Sequence, residues 1–140
     1  DNARLFVAEV RLKMASGDLV GAQALLDQTP LELAADPELE ALQGKLAFAA
    51  VVAEAPPMSV CTERVAADPS DSESRYRLAA HQVMAEDYEA ALASLLELMR
   101  HDRGYGEDAG RKGMLAVFGL LGGEGELVAR YRGLMARLLY

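Results

Sequence analysis

The sequence has no tryptophan, one cysteine, two histidines and one asparagine in 140 residues, and aromatics make up only 6% of it. A single thiol, Cys61, cannot close a disulfide within the chain. That excludes a cystine-stapled secreted scaffold, and a cysteine-type zinc site lacks ligands. With so few aromatics, Leu, Ala and Val must supply the packing. Alanine is the best helix former and takes little room, so helices at close approach are favoured. No apolar run approaches the ~20 residues that a membrane-spanning helix needs, so no membrane partner is expected. Bases are scarce as well. The formal net charge of −8 argues against a grip on the phosphates of nucleic acid. The chain opens Asp1-Asn2-Ala3, with neither an initiator methionine nor a signal peptide, and reads as a piece of a longer, cytoplasmic protein.

What is present suits one globular domain with a real core: 51% of residues are hydrophobic and 26% charged. Charge is unevenly placed. Residues 1–71 carry a net −7 and residues 72–140 a net −1, and no acid follows Glu126.

Internal repetition supplies the fold. Gly17-Asp18-Leu19 precedes Ala22 and Leu26, and Glu86-Asp87-Tyr88 precedes Ala91 and Leu95 at the same spacing, 69 residues later. A second ruler, Asp36-Pro37, Asp68-Pro69 and Asp102-Arg103, advances by 32 and then 34 residues. Both agree with the ~34-residue period of tetratricopeptide helix pairs. In each unit the Asp caps a second helix, a small Ala lets that helix lie close to the first, and Pro is tolerated where the next helix begins. Ser70-x-x-Glu73 reads as a capping box. Apolar residues such as Tyr88, Ala91, Leu92, Leu95, Leu96 and Met99 follow helical spacing, and no stretch alternates as a strand does. The expectation is an all-α, tetratricopeptide-like right-handed solenoid of about four antiparallel helix pairs. Their bounds fall near 1–35, 36–69, 70–103 and 104–140, with helices over 3–16, 18–28, 37–54, 58–67, 72–85, 87–101, 107–121 and 125–139. The second pair is irregular at Pro56-Pro57, and the fourth, turning at Gly122-Gly123, is atypical as end units often are.

From Tyr76 onward the chain resembles one family. Tyr76-Arg77-Leu78-Ala79, Asp87-Tyr88-Glu89-Ala90-Ala91-Leu92 and Leu95-Leu96-Glu97-Leu98 begin the likeness. The linker Asp102-Arg103-Gly104-Tyr105, the run Ala109-x-Arg111-Lys112-x-Met114-Leu115-Ala116-Val117-Phe118 and Leu120-Leu121-Gly122 complete it. Together they are similar to the C-terminal tetratricopeptide domain of bacterial thioredoxin-like co-chaperones, the chaperedoxin (YbbN-type) family. The likeness covers residues 68–140 closely and 1–67 mainly by repeat register. It implies a holdase that binds unfolding client proteins, particularly under oxidative stress, and passes them to the chaperonin GroEL or to the DnaK system. It also implies a thioredoxin-fold domain in the parent protein, which these 140 residues do not include.

No residue pattern calls for catalysis, a cofactor, a metal or a small-molecule substrate, and the chain is expected not to be an enzyme. Cys61 reads as a small buried residue, because Thr62, Glu63 and Arg64 do not form a thiolate-stabilising cluster. His81 and His101 have no third ligand at metal-site spacing. Glu38/Glu40 and Glu107/Asp108 fit helix starts, where acids favour the dipole. Three lysines and one asparagine are too few for a clamp on acidic peptide tails. Met14, Met84, Met99, Met114 and Met135 either fill core gaps or line an adaptable apolar groove. The expected partner surface is the last helix. Leu127, Val128, Tyr131, Leu134, Met135, Leu138 and Leu139 cover an arc of about 140° on the wheel, with Arg130 and Arg137 off it. Arg130, Tyr131, Leu134, Arg137 and Leu138 are the candidate docking residues, against the alternative that the helix is a plain cap. Two further functions stay open: a scaffold that organises a multiprotein assembly, or the substrate-selecting module of an active thioredoxin oxidoreductase.

Overall fold

The structure is a computed structural model that describes residues 2–140. Among these residues there are eight α-helices and no strand: α1 (Asn2–Ala15), α2 (Leu19–Asp27), α3 (Pro37–Glu54), α4 (Met58–Ala67), α5 (Ser72–Met84), α6 (Tyr88–His101), α7 (Ala109–Leu120) and α8 (Glu126–Leu139). One 3-10 turn, Leu31–Leu33, precedes α3. The fold is an all-α helical-repeat solenoid. The caps act as the repeat requires. The Asp18 side chain accepts the Gly21 amide at 2.8 Å, Asp36 accepts those of Glu38 and Leu39, and Asp87 accepts that of Ala90. Ala22 and Ala91 are fully buried where α2 meets α1 and α6 meets α5.

Two local expectations are corrected. The box that starts α5 is Asp71-x-x-Ser74, not Ser70-x-x-Glu73. The Ser74 amide and hydroxyl both donate to Asp71 (3.0 and 2.7 Å), while Ser70 turns back to Asp68. Ser74 is buried, so this pairing also satisfies a hydroxyl that water cannot reach. Helix α7 begins two residues later than the pattern suggests. Gly106, Glu107 and Asp108 have φ of 58°, 58° and 69°, a left-handed stretch that non-glycine residues rarely adopt. Glu107 and Asp108 therefore precede α7 instead of lying in its first turn, and Asp108 reaches Arg111 at 3.5 Å.

Packing departs from four equal pairs. Helix α2 lies on α1 and α3, and α6 lies on α5 and α7, as regular units demand. Helix α4 instead packs mainly on α5. The Pro56 carbonyl draws it there, accepting from the His81 ring at 2.7 Å and facing the Cys61 thiol at 3.6 Å. A carbonyl can only accept, so Nε2 of His81 carries the proton. Helix α8 packs mainly on α6 and reaches α7 through Arg132, whose guanidinium lies 5.5 Å from the Phe118 ring centroid. Helices α3 and α7 lie directly together. Small residues allow this: a Cβ on Gly44 would stand 2.9 Å from that of Ala116. Two cores result and share α3. The smaller holds Val7, Val10, Ala22, Leu26, Leu39 and Leu46. The larger joins Phe48 to α5, α6, α7 and α8 through residues such as Val83, Leu92, Leu95, Met114 and Val128.

Candidate functional site

The side chains on α8 are set by its neighbours. Tyr131 is buried, and Leu134 and Leu138 are half-buried against the larger core. Arg130 is ion-paired with Glu89 of α6 at 2.7 Å, and its guanidinium lies 5.1 Å from the Tyr131 ring. Such an exposed pair adds little to stability, but it fixes which way the arginine points. Arg137 is exposed, with Gly133, Ala136 and Tyr140 beside it in the outer register. The five sequence candidates thus do not form one open patch. Arg137 faces outward, Arg130 is engaged within the chain, and the three apolar residues turn partly or wholly inward.

The linker residues that distinguish the sequence from a generic repeat tie together the ends of α5, α6 and α8. Arg103, in the α6–α7 linker, donates to the Leu138 carbonyl at 3.1 Å, satisfying an otherwise open group at the helix C-terminus. Tyr105 of the same linker lies 6.1 Å from Tyr76, which in turn lies 6.0 Å from Phe48. Burial raises the Tyr76 hydroxyl pKa, and the neighbouring Tyr105 raises it further. Asp102 accepts the Ser72 hydroxyl at 2.7 Å and ties the end of α6 to the start of α5. The capping carboxylates Asp18 and Asp71 have lowered pKa values. Backbone amides, of Gly21 and Ser74 respectively, are the main cause, assisted by Lys13 and by the Ser74 hydroxyl.

Open surface lies mostly elsewhere. A cleft of about 560 Å³ is framed by Arg11 of α1, Ala41 and Leu42 of α3, and Leu120 and Gly122 at the end of α7. It adjoins a second of about 450 Å³, lined by Met14, Leu19, Leu42, Lys45 and Met84. Of the methionines singled out above, Met14 and Met84 line a cleft while Met99, Met114 and Met135 are core. The cations at these clefts are already paired, Arg11 with Glu38 and Lys45 with Glu86 at 4.0 Å. A third cleft, of about 290 Å³, sits over α2 and α3 and is lined by Leu19, Val20, Gln23, Leu46, Ala47 and Ala50. Sequence reasoning missed it, although one signal was present. Val20 stands where the other copy of the repeat has Glu89, and an apolar residue there needs a different neighbour.

Cys61 is buried, as a packing residue would be. His81 bonds Pro56, and His101 lies 3.2 Å from Glu97. Among the described residues no three His, Cys, Asp or Glu side chains are grouped to hold a metal ion, and no helix is long and apolar enough to cross a membrane. No curated protein and no solved structure gives a significant match to the chain. A tetratricopeptide repeat profile does match, over residues 51–140, which span α4 to α8 and the end of α3. That match covers more than half of the sequence, and this chain belongs to the tetratricopeptide repeat family, a family of protein-interaction scaffolds.

Proposed function

We propose that this domain is the protein-binding arm of a bacterial, cytoplasmic thioredoxin-like co-chaperone. In that role it holds unfolding proteins and docks to GroEL or the DnaK system. The observation that carries the reading is the 102–118 run. Its likeness to the chaperedoxin family includes the linker residue that fastens the terminal helix, Arg103, which donates to the Leu138 carbonyl. A chain that spends its distinctive residues on placing α8 has a use for the outer face of that helix. Arg137, exposed beside small residues and Tyr140, is the part of α8 free to meet a chaperone, and Arg130, about two turns earlier, is held by Glu89.

The test compares chaperonin binding by the unaltered domain and by Arg130→Glu/Arg137→Glu, with circular dichroism to establish folding. Loss of binding in the folded variant is the expected result, and retained binding contradicts docking through α8. Arg130→Glu alone breaks the Glu89 pair, so Arg137→Glu alone separates a docking effect from a loosened helix. Holding of clients is read by light scattering from a heat-unfolding test protein. Aggregation unchanged by excess domain would contradict the holdase reading.

A further inference from the structure

We propose that the cleft over α2 and α3 is a docking site for one amphipathic, arginine-bearing helix of a partner protein. The proposal rests on the reading of this domain as a protein-binding module, but not on which chaperone it serves or on docking through α8.

The repeat itself shows what belongs there. Residues 19–27 match residues 88–96 at the 69-residue spacing. In that second copy α6 is covered by α8: Arg130 pairs with Glu89, and Val128 and Tyr131 share a core with Leu92 and Leu96. The positions equivalent to Glu89, Leu92 and Leu96 are Val20, Gln23 and Asp27, and all three are exposed, Val20 to 84%. The helix that the register would supply to the first copy is α4, and it is held on α5 by the Pro56 carbonyl. Among the described residues, therefore, no helix takes the place beside α2 that α8 occupies beside α6. Ala47 and Ala50 of α3 are exposed on the same cleft for the same reason.

The lining selects the occupant. Leu19, Val20, Leu46 and the two small alanines make an apolar floor, and a helix laid in such a groove reads it at i, i+3, i+4 and i+7. Asp27, one turn beyond Gln23, is exposed and accepts from the Gln23 side chain at 2.8 Å, and α2 carries no base. Glu54, one heptad beyond Ala47, is also exposed. Residues 1–71, which supply the whole lining of this cleft, bear a net −7, so cations flanking the apolar face of an incoming helix are favoured. Helix α8 has this make-up, with Leu, Val, Met and Tyr on one side, three arginines and no acid after Glu126.

The probe is a fluorescein-labelled peptide copying residues 125–140, compared with one in which its three arginines are glutamate. Fluorescence anisotropy measures binding to the unaltered domain, to Val20→Arg/Ala50→Arg, and to Ala66→Arg/Ala67→Arg. The last adds the same charge on α4, where both positions are exposed. The proposal expects the arginine peptide to bind the unaltered and α4-substituted domains alike, to bind the cleft variant at least about tenfold more weakly, and to lose binding when its arginines become glutamate. Equal binding to all three domains, or no binding of the arginine peptide, overturns it. Photo-crosslinking to the unaltered domain gives a reading that needs no variant. Adducts on residues 19–27 or 46–54 support the cleft, and adducts on residues 88–101, where the peptide would have displaced α8, overturn it. A dimer that dissociates on Val20→Arg/Ala50→Arg, measured by light scattering, would make the occupant a second copy of this chain and also overturn the proposal.

Discussion

Helices α2 and α6 are built on one motif and end in different circumstances. Each follows a tight turn, each is capped by an Asp, and each buries an Ala where it meets its partner helix. Yet α6 is enclosed by α5, α7 and α8, with Leu92, Leu95, Leu96, Leu98 and Met99 all buried, whereas α2 buries only Ala22 and Leu26. The local code specifies a helix and its inner face. What covers the outer face depends on where a later helix goes, and α4 and α8 go to different places. The half of the molecule around α6 is closed over by later helices, and the half around α2 is left open.

The sharpest way to break that comparison is to empty both cores. Leu95→Ala, in the larger core, is expected to cost about 2–5 kcal/mol, and Leu26→Ala, in the smaller and shallower one, to fall at or below the low end of that range. Urea denaturation of each variant checks the ordering, and equal losses would mean the two cores are equally important. Close helix approach comes next. Ala91→Leu and Gly44→Ala each add volume where there is none, the second at 2.9 Å from the Ala116 Cβ, and each is expected to cost about 1–3 kcal/mol. An unchanged melting midpoint for Gly44→Ala would show that α3 and α7 are not in contact in solution.

The caps sharpen the comparison at a smaller scale. Asp71→Ala should cost about 1 kcal/mol, because it removes an N-cap and leaves the buried Ser74 hydroxyl without its acceptor. Ser70→Ala should cost less in the same melts, and the reverse order would restore the sequence-based box. The smallest effect is on pH dependence. Asp18 and Asp71 have folded pKa values below the ordinary carboxylate value. Their contribution is therefore fully present above the unfolded pKa of about 3.9 and is lost as pH falls through the lower folded values. Stability of the unaltered domain should decline below about pH 4, with a shallower acid limb in Asp18→Asn/Asp71→Asn, followed by urea midpoints across the acid range.

Much of this was legible in the residues. Helical spacing and the Asp caps located all eight helices, and the bounds of α3 and α4 agree with the expected spans. Three things were not, each for a physical reason. Ser70-x-x-Glu73 and Asp71-x-x-Ser74 are offset by one residue, and only burial of Ser74 decides between them. The left-handed turn carries on through Glu107, a residue type that gives no local sign of positive φ, before Asp108. The direct contact of α3 with α7 joins residues some 70 apart in the chain through Gly and Ala, which no periodicity marks. The surroundings of the candidate docking residues were hidden in the same way. A helical wheel showed that α8 has an apolar face and flanking arginines, but it could not show that α6 takes most of that face and that Glu89 takes Arg130.

The most direct test of a covered half that holds the fold and an open half that holds partners is amide hydrogen exchange, with and without the arginine-bearing peptide. The account predicts that α6 exchanges slowest in the free domain, that α2 exchanges much faster, and that the peptide adds protection in residues 19–27 and 46–54 while leaving α6 unchanged. Equal protection of α2 and α6 in the free domain, or peptide-induced change confined to α6 and α8, would contradict it.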